Sequence, residues 1–220
     1  MKISSEEWKN LITDSAKVFD IRIDRKEADQ FACHALELLK WNRKTNLTAI
    51  TNPSEIAIKH FLDSIVSAPL ISPGSSLLDI GSGGGFPGIP LKILCPSLSV
   101  TLIDGVRKKV SFLNYVIRML KIRDIEARHI RAEFLAGERG TAFDVIVCRA
   151  LTSLDKFVLM ALPLLAEGGM MIALKGKVSE KETGAACSLA SLSTEVKTYT
   201  LPYLDAERAI VTMKLNKHPE

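Results

Sequence analysis

A glycine-rich segment, LLDIGSGGGFPGIP at residues 77–90, has the residue types that let a ligand approach a bare main chain. Two ligand patterns fit this segment. Residues 83–88, GGGFPG, match the G-x-G-x-x-G pattern of dinucleotide sites, with Asp104 about 20 residues further along. The other pattern, D-x-G-x-G-x-G, is typical of S-adenosylmethionine (SAM) sites and is carried by Asp79, Gly81, Gly83 and Gly85.

The surroundings of the glycines favour the SAM pattern. The segment begins directly at the end of an apolar run, and the prolines of FPGIP stiffen the start of the following helix. SAM carries no phosphate, so no helix N-terminus has to stay open for one. In this pattern the Asp79 carboxylate organises the loop through backbone N–H groups, and the glycines lie against the adenosine and methionine parts of SAM. The alternative is a loop that only turns the chain.

Two further positions follow predicted strands and indicate a nucleoside ligand. Asp104 ends VTLID, where a carboxylate can accept bonds from both ribose hydroxyls, a geometry that NAD and SAM sites share. Ala132 and Glu133 follow the next strand and are expected to flank the adenine, because ligands lie beyond the carboxyl ends of parallel strands. The alternatives are a solvated acid at Asp104 and an ordinary helix-start acid at Glu133.

The segment FDVIVCRALTSL, which contains the fourth predicted strand and the residues after it, limits the kinds of methyl transfer that the protein can catalyse. It has no Asn/Asp-Pro-Pro-aromatic motif to orient an exocyclic amine, and Cys148 follows valine instead of the proline typical of a thiolate nucleophile. We interpret Cys148 as a core thiol. Methylation of guanine N7 requires neither this motif nor a cysteine nucleophile, because the N7 lone pair is free and no general base has to remove a proton. Arg149 then orients the guanine or packs over the cofactor, and its alternative role is a structural salt bridge.

The elements that position these residues follow from the apolar periodicity. Ser4 or Ser5 and Asp24 are predicted caps of N-terminal helices, and residues 52–70 predict a further helix. From residue 75, short apolar strands alternate with amphipathic helices, which indicates an α/β fold with a parallel sheet covered on both faces. The last two predicted strands are separated by a short polar segment. This segment is too short for the helical crossover that parallel strands require, so the two strands are expected to pair antiparallel.

Composition bounds the class of protein. The chain has 220 residues, 47% hydrophobic and 25% charged, which fits a single soluble domain. Its four cysteines are scattered and form no C-x-x-C pair, so we expect reduced, mostly buried thiols in a cytoplasmic protein and no metal site. The N-terminus is charged where a signal peptide would be apolar, and no apolar run reaches the length of a membrane span, so no membrane partner is expected.

Two basic clusters predict a nucleic-acid partner. One is KWNRKTN, around Trp41, with His60 further along, and the other begins at GVRKKV. Basic groups with an interleaved aromatic suit a phosphate backbone and a stacked base, and the alternative is a solvated helix face. The predicted RNA-binding residues are Lys40, Arg43, Lys44, His60, Arg107, Lys108 and Lys109.

Several of these motifs occur in the order expected of one enzyme family. NLTAI, KHFLDSI, LLDIGSGGGFPGIPLKI, VTLID, RAE, CRA and LKGK extend over residues 46–177, and GFPGIPLKI and HFLDS are specific to the family. The chain resembles ribosomal small-subunit methyltransferase G, also called glucose-inhibited division protein B. Two departures are Cys148 and Gly105, where serine is common, and neither removes a group that the reaction needs.

The resemblance implies further expectations. The fold is a Rossmann-like class I SAM-dependent methyltransferase fold with a seven-stranded, mostly parallel sheet. Residues 1–70 form an N-terminal helical extension and residues 71–220 the SAM-dependent methyltransferase domain, as one compact unit. The implied enzyme is cytoplasmic, is expected to be a monomer, and methylates N7 of one guanine in 16S rRNA of the small-subunit (30S) particle. The implied cofactor contacts are Gly81, Phe86, Ala132, Glu133 and Arg149.

Other functions fit part of the sequence. A SAM enzyme acting on a small molecule explains the loop but leaves the basic clusters unused. A non-catalytic RNA-binding assembly factor that retains SAM explains both, although the intact acidic and glycine positions of the cofactor pattern argue against decay of that site. A dehydrogenase is the most distant alternative, because its sheet is usually parallel throughout.

Overall fold

The secondary structure is described over residues 1–138, 140–150 and 152–216 of a computed structural model. In these residues the α-helices are α1 (Glu6–Lys17), α2 (Arg25–Thr45), α3 (Pro53–Glu55), α4 (Asp63–Ile65), α5 (Gly88–Leu94), α6 (Arg107–Leu120), α7 (Ala132–Leu135), α8 (Leu154–Ala161) and α9 (Glu180–Cys187). A π-helix spans Ile56–Leu62, and 3-10 helices span Ala68–Leu70 and Leu162–Leu164. The strands are β1 (Ser76–Ile80), β2 (Ser99–Ile103), β3 (Ile125–Arg128), β4 (Phe143–Arg149), β5 (Leu165–Lys175), β6 (Leu192–Leu201) and β7 (Ala206–Leu215).

The strands form one sheet in the order β3-β2-β1-β4-β5-β7-β6, with seven strands in the described part of the chain. The first five are parallel to one another, and β7 is antiparallel to both β5 and β6. The mostly parallel sheet with a C-terminal antiparallel hairpin is therefore confirmed. The strand order reverses between β1 and β4, so the carboxyl ends of these strands open a crevice where ligands bind in such sheets.

Helices cover both faces of the sheet, and each face has its own apolar core. On one face, Trp8 of α1 and Phe31 of α2 belong to a cluster that continues into Leu77 of β1. On the other face, Phe157 of α8 packs in a cluster with Leu78 of β1. Because α1 and α2 share a core with the sheet, the N-terminal helices and the sheet pack as continuous layers, whereas the proposed division at residue 70 stays a prediction.

The two N-terminal helices begin at predicted caps. The Ser5 hydroxyl accepts a bond from the Trp8 N–H at 3.2 Å. Asp24 and Glu27 form a capping box at the start of α2, in which each side chain accepts the other residue's backbone N–H. These short polar contacts satisfy N–H groups that the first turn of a helix leaves free.

Residues 52–70 do not form the single helix that the sequence predicts. The segment passes from α3 into the π-helix, then into α4 and a 3-10 turn. The side chains of the π-helix are all buried except that of Lys59, which is half-buried. An apolar run that is buried all round has no polar face, so its periodicity cannot separate a π-turn from an α-turn.

The prediction of mostly buried cysteines is wrong. Cys148 is buried at the end of β4, where burial raises its pKa, as expected of a core thiol. Cys95 and Cys187 are half-buried and Cys33 is exposed, because Cys33 lies on the side of α2 away from the core. In the described ranges no three metal-ligating side chains come together. Likewise, no helix of the described residues is long and apolar enough to span a membrane.

Candidate cofactor and substrate site

The glycine loop connects the carboxyl end of β1 to α5. Gly81, Gly83 and Gly85 have φ values of +74°, +55° and +92°, a region that strains residues with side chains. The Gly81 N–H donates to the Ile103 carbonyl of β2 at 2.9 Å, and the Gly85 N–H donates to the Ser82 carbonyl at 2.7 Å. The loop is thereby folded back on itself and tied to the neighbouring strand.

Asp79 holds the end of this loop that leads into α5. Its side chain is fully buried, and its Oδ2 accepts the Gly88 N–H at 2.9 Å. Burial raises the pKa of Asp79 to about 7, although the bond from Gly88 opposes the shift. A Cβ at Gly88 would lie 2.3 Å from Leu102 Cδ2 and 2.8 Å from Asp79 Oδ2, so only glycine fits where α5 begins.

Two of the glycines face α2, a contact that the sequence patterns did not indicate. A Cβ at Gly84 would lie 2.8 Å from Leu38 Cδ1, and a Cβ at Gly85 would lie 3.2 Å from His34 Cε1. The His34 Nε2 donates to the Gly84 carbonyl at 2.8 Å. The N-terminal segment therefore forms the outer wall of the glycine loop, and part of the glycine content serves helix packing.

A stack of rings joins α2, the loop and the π-helix. Phe86 lies between His34 and His60, with ring centroids 4.8 and 4.6 Å away and nearly parallel planes. The guanidinium carbon of Arg149 lies 4.9 Å from the Phe86 centroid. Burial lowers the pKa of His34 to about 4 and that of His60 to about 3, so both imidazoles are neutral at pH 7.

A cavity of about 440 Å³ lies beyond the carboxyl ends of β1, β2 and β4, and we name it the cofactor cavity. It is lined by Ile80, Gly81, Ile103, Asp104, Gly105, Lys109, Ile130, Arg131, Ala132, Glu133, Arg149, Ala150 and Met160. Apolar side chains on its walls suit an adenine ring, and the Gly81 main chain leaves room on one side.

Asp104 is the acidic group of the cofactor cavity. It is 7% exposed, and its Oδ1 accepts the Val106 N–H at 2.8 Å while its Oδ2 accepts the Gly83 N–H at 3.1 Å. The Lys109 Nζ lies 3.9 Å from Oδ2. A carboxylate held by two main-chain bonds retains free lone pairs towards the cavity, which fits a ligand with vicinal hydroxyls such as the ribose of SAM.

A second cavity of about 530 Å³ adjoins the first and shares Arg149 and Ala150 with it; we name it the substrate cavity. It is lined by Ile50, Lys59, His60, Asp63, Arg149, Ala150, Thr152, Leu174, Lys175, Gly176 and Arg208. Ala150, at the boundary, has a φ of +50°, a strained conformation of the kind that occurs at functional sites.

Arg149 stands between the two cavities and is fixed mainly by the π-helix. Its Nη1 donates to the Lys59 carbonyl at 2.7 Å and to the His60 carbonyl at 3.3 Å, and its Nη2 donates to His60 Nδ1 at 3.2 Å. The Asp63 Oδ2 lies 3.8 Å from Nη1. The π-helix thus presents main-chain carbonyls to a guanidinium that borders both cavities.

The predicted cofactor residues fall into two groups. Gly81, Asp104, Ala132, Glu133 and Arg149 line the cofactor cavity together. The others support the loop behind it: Asp79 bonds Gly88, Gly83 bonds Asp104, Gly85 packs near His34, and Phe86 is buried between two imidazoles.

The predicted RNA-binding residues are spread over several surfaces. Lys40, Arg43 and Lys44 are exposed near the end of α2, and Arg107 and Lys108 are exposed at the start of α6. Lys109 instead lines the cofactor cavity, and His60 is buried at the wall of the substrate cavity. Trp41 is half-buried with its ring 5.7 Å from Phe112 and 5.3 Å from Tyr115, so the interleaved aromatic packs between helices.

Asp63, Lys175 and Arg208 also line the substrate cavity, and sequence reasoning assigned them no role. Asp63 and Lys175 lie in quoted motifs, HFLDS and LKGK. Asp63 could have been identified from the sequence, because it lies inside the largely apolar run IAIKHFLDSIV and buried charges are rare unless they are paired. Arg208 gave no such signal, because its partner is far away along the chain.

A parallel sheet ending in an antiparallel hairpin, with the glycine loop and Asp104 at its switch point, defines the class I SAM-dependent methyltransferases. A solved O-methyltransferase from Bacillus cereus in complex with SAH has this fold, with a TM-score of 0.59, 17% identity, and coverage of 82% of this chain and 90% of that one. The chain belongs to the GidB family, rRNA small subunit methyltransferase G, whose model matches residues 27–211. It is therefore a SAM-dependent rRNA methyltransferase.

Curated relatives cover almost the whole chain. Ribosomal RNA small subunit methyltransferase G of Geobacter sp. (strain M21) is 41% identical over 212 residues, covering 94% of this chain and 98% of the relative. The protein of the same name from Geotalea uraniireducens (strain Rf4) is 41% identical over 214 residues, covering 96% and 98%. The resemblance stated from the motifs is confirmed.

Proposed function

We propose that the protein transfers the methyl group of SAM to N7 of one guanine in 16S rRNA of the small ribosomal subunit. In this proposal the cofactor cavity holds SAM, the substrate cavity receives the guanine, and the protein acts as a monomer in the cytoplasm. Family membership supports the rRNA substrate. The choice of guanine N7 rests on the polar groups of the substrate cavity.

The cofactor cavity has a residue for each part of SAM. The Asp104 carboxylate would accept the ribose hydroxyls, the apolar walls and Ala132 would enclose the adenine, and Gly81 would leave space for the methionine part. When bound, SAM supplies an electrophilic methyl group on its sulfonium. The glycine loop and its supports on α2 keep this wall in place before the cofactor enters, so little ordering is left to binding.

The titratable groups around the substrate cavity are already engaged, and this observation carries the proposal. His60 is neutral, its Nδ1 accepts from Arg149, and its Nε2 then donates to the Thr48 hydroxyl at 2.8 Å. Asp63 contacts Tyr199, Arg208 and Arg149.

The two lysines of the substrate cavity are likewise held, with Lys59 paired to Glu55 and Lys175 paired to Glu182. No group among the described residues of the substrate cavity is left to act as a general base. Guanine N7 requires none, because its lone pair attacks directly and no proton leaves.

Catalysis then consists of placing two groups in line, a contribution of proximity and orientation. Arg149 borders both cavities and is held by carbonyls of the π-helix, so its guanidinium can position the guanine, the cofactor, or both at their meeting point. The planar guanidinium fixes direction as well as charge, which an ammonium group does not.

The proposal is tested on 30S particles from a strain that lacks this protein. Incubation with the purified protein and labelled SAM is expected to label 16S rRNA, and chain cleavage at 7-methylguanine should map one position. The Arg149→Lys variant serves as a control for contaminating enzymes and is expected to be about a hundredfold slower, because it loses the fixed geometry. Label only on protein or small molecules would contradict the proposal, and SAM binding without transfer would favour the assembly-factor alternative.

RNA binding by the start of α6 is tested by charge reversal. Lys108→Glu is expected to weaken RNA binding and to reduce the slope of log affinity against log salt by about one, because one phosphate contact is lost. Lys181→Glu is the matched control, since Lys181 is exposed on α9 at the opposite face of the sheet. Fluorescence anisotropy with a labelled 16S rRNA fragment at several salt concentrations measures the slope. Equal slopes for wild type and Lys108→Glu would remove α6 from the RNA-binding surface.

A further inference from the structure

The C-terminal hairpin lies outside the family motifs, yet two of its side chains reach the centre of the site. Tyr199 of β6 and Arg208 of β7 are directly opposite each other in the antiparallel pairing. Both contact Asp63 of α4: the Tyr199 hydroxyl donates to Oδ1 at 2.8 Å, and the Arg208 Nε lies 3.5 Å from the same atom. The hairpin and the helical segment before β1 are thus joined through one carboxylate.

The other oxygen of Asp63 faces the site. Oδ2 lies 3.8 Å from the Nη1 of Arg149, and the two side chains are 7% and 13% exposed. A carboxylate buried to this degree is stable only when it is paired and hydrogen-bonded. In the part of the chain that the structure describes, the polar contacts of the Asp63 side chain come from Tyr199, Arg208 and Arg149.

We propose that Tyr199 and Arg208 are positioning residues, which hold Asp63 in the orientation that pairs its Oδ2 with Arg149 and so adds to the hold of the π-helix on the guanidinium between the cofactor and substrate cavities. This inference rests on the proposed function and deepens it, because it assigns the hairpin a part in placing the reacting groups. Neither residue has to touch the cofactor; each acts through Asp63.

Tyr199 is built to donate one fixed bond. Burial raises the pKa of its hydroxyl, so the hydroxyl stays protonated and can donate to the carboxylate. Its ring packs edge-on against Phe19, with centroids 5.7 Å apart, and this contact fixes the direction of the hydroxyl. Phenylalanine at this position keeps the ring packing and removes only the oxygen, which makes the substitution a clean probe.

Loss of the hydroxyl leaves Oδ1 with its longer contact to Arg208. The carboxylate is then free to turn towards Arg208, and the ion pair with Arg149 lengthens. Since Arg149 forms a wall of both cavities, a shift of its guanidinium changes cofactor affinity as well as turnover. A purely structural role of Tyr199 would change stability and leave the coupling to Arg149 at zero.

The test is a double-mutant cycle between Tyr199→Phe and Arg149→Lys. Titration calorimetry measures the Kd for SAH, which needs no RNA, and labelled methyl transfer measures kcat and KM. Tyr199→Phe is expected to raise the Kd and lower kcat by about three- to tenfold, which corresponds to the net contribution of one ordinary hydrogen bond. In the Arg149→Lys background the same substitution should change both by less than about twofold, since the group it positions is gone.

Tyr203→Phe is the matched control, because Tyr203 lies in the same hairpin and is 70% exposed. It should leave the Kd, kcat and unfolding midpoint unchanged. Arg208→Lys is the second variant, in case Tyr199→Phe folds poorly, and it should show the same coupling with Arg149→Lys.

Equal fold-changes in the two backgrounds, or an unchanged Kd and kcat for a folded Tyr199→Phe, would overturn the inference. SAH binding with normal coupling but no methyl transfer to 16S rRNA would instead contradict the proposed function alone. Failure of the positioning role and failure of the rRNA activity are therefore distinguished.

Discussion

Gly88→Ala is expected to lower the free energy of unfolding by about 3 kcal/mol, at the upper end for overpacking a core. The new Cβ would lie 2.3 Å from Leu102 Cδ2 and 2.8 Å from Asp79 Oδ2, and neither is the end of a long flexible side chain. The clash also displaces the N–H that Asp79 holds, so the glycine loop shifts and SAM binding weakens. Urea unfolding and calorimetric titration with SAH measure the two effects.

Helix propensity alone predicts the opposite sign. Gly88 is the first residue of α5, and alanine in a helix is favoured over glycine by up to about 1 kcal/mol. Gly184→Ala is the matched control, because Gly184 lies in α9 and a Cβ there would meet nothing within 4 Å. This control should be as stable as wild type or more stable, with unchanged SAH affinity. A Gly88→Ala protein that matches the control would contradict the close packing under the loop.

The sheet could be predicted from the sequence because its signals are local. Apolar strands alternate with amphipathic helices, and the short polar link YLDAE at residues 203–207 permits only a hairpin. The glycine loop and Asp104 were found for the same reason, since each directly follows a strand. Local patterns also located Ala132, Glu133 and Arg149, which the fold brings to one cavity.

The contacts that support the site depend on residues far apart in the chain, and local patterns carry no information about them. His34 meets Gly84 across 50 positions, and Tyr199 meets Asp63 across 136. The π-helix was missed because its side chains are buried nearly all round, so the sequence has no polar face whose spacing would distinguish a π-turn from an α-turn. Local patterns also gave no sign that Gly85 packs against α5 and α2, where a Cβ would lie 2.6 Å from Ile89 Cδ1 and 3.2 Å from His34 Cε1.

Asp79→Asn is expected to gain stability relative to wild type as the pH rises from 4 to 7. Burial raises the pKa of Asp79 from its ordinary 3.8 to about 7. In this window the unfolded chain releases the proton while the folded chain keeps it, so the contribution of the carboxyl is present below pH 3.8 and is lost as the pH rises to 7. The loss is about 1.4 kcal/mol per pH unit. Asparagine carries no charge and can still accept the Gly88 N–H.

Asp144→Asn is the contrasting variant, measured in the same way. The Ser76 hydroxyl and N–H hold the pKa of Asp144 below its ordinary value of 3.8, so its contribution is fully present from pH 5 to 8 and is lost only in more acidic solution. Urea unfolding at pH 5, 6, 7 and 8 should therefore show a difference from wild type that rises up to pH 7 for Asp79→Asn and stays constant for Asp144→Asn. Parallel trends, or a flat difference between Asp79→Asn and wild type, would show that the buried carboxyl ionises normally.

The same pH series also measures how the two buried imidazoles, His34 and His60, affect stability. Burial lowers the pKa of His34 to about 4 and of His60 to about 3, so both contribute stability above pH 6.5 that is lost on acidification. In wild type the gain from protonating Asp79 offsets part of this loss between pH 7 and pH 5. Asp79→Asn removes the offset, so its stability should fall more steeply than that of wild type over this range. In wild type, the loss of stability that His34 and His60 cause on acidification is therefore partly hidden by the gain from Asp79.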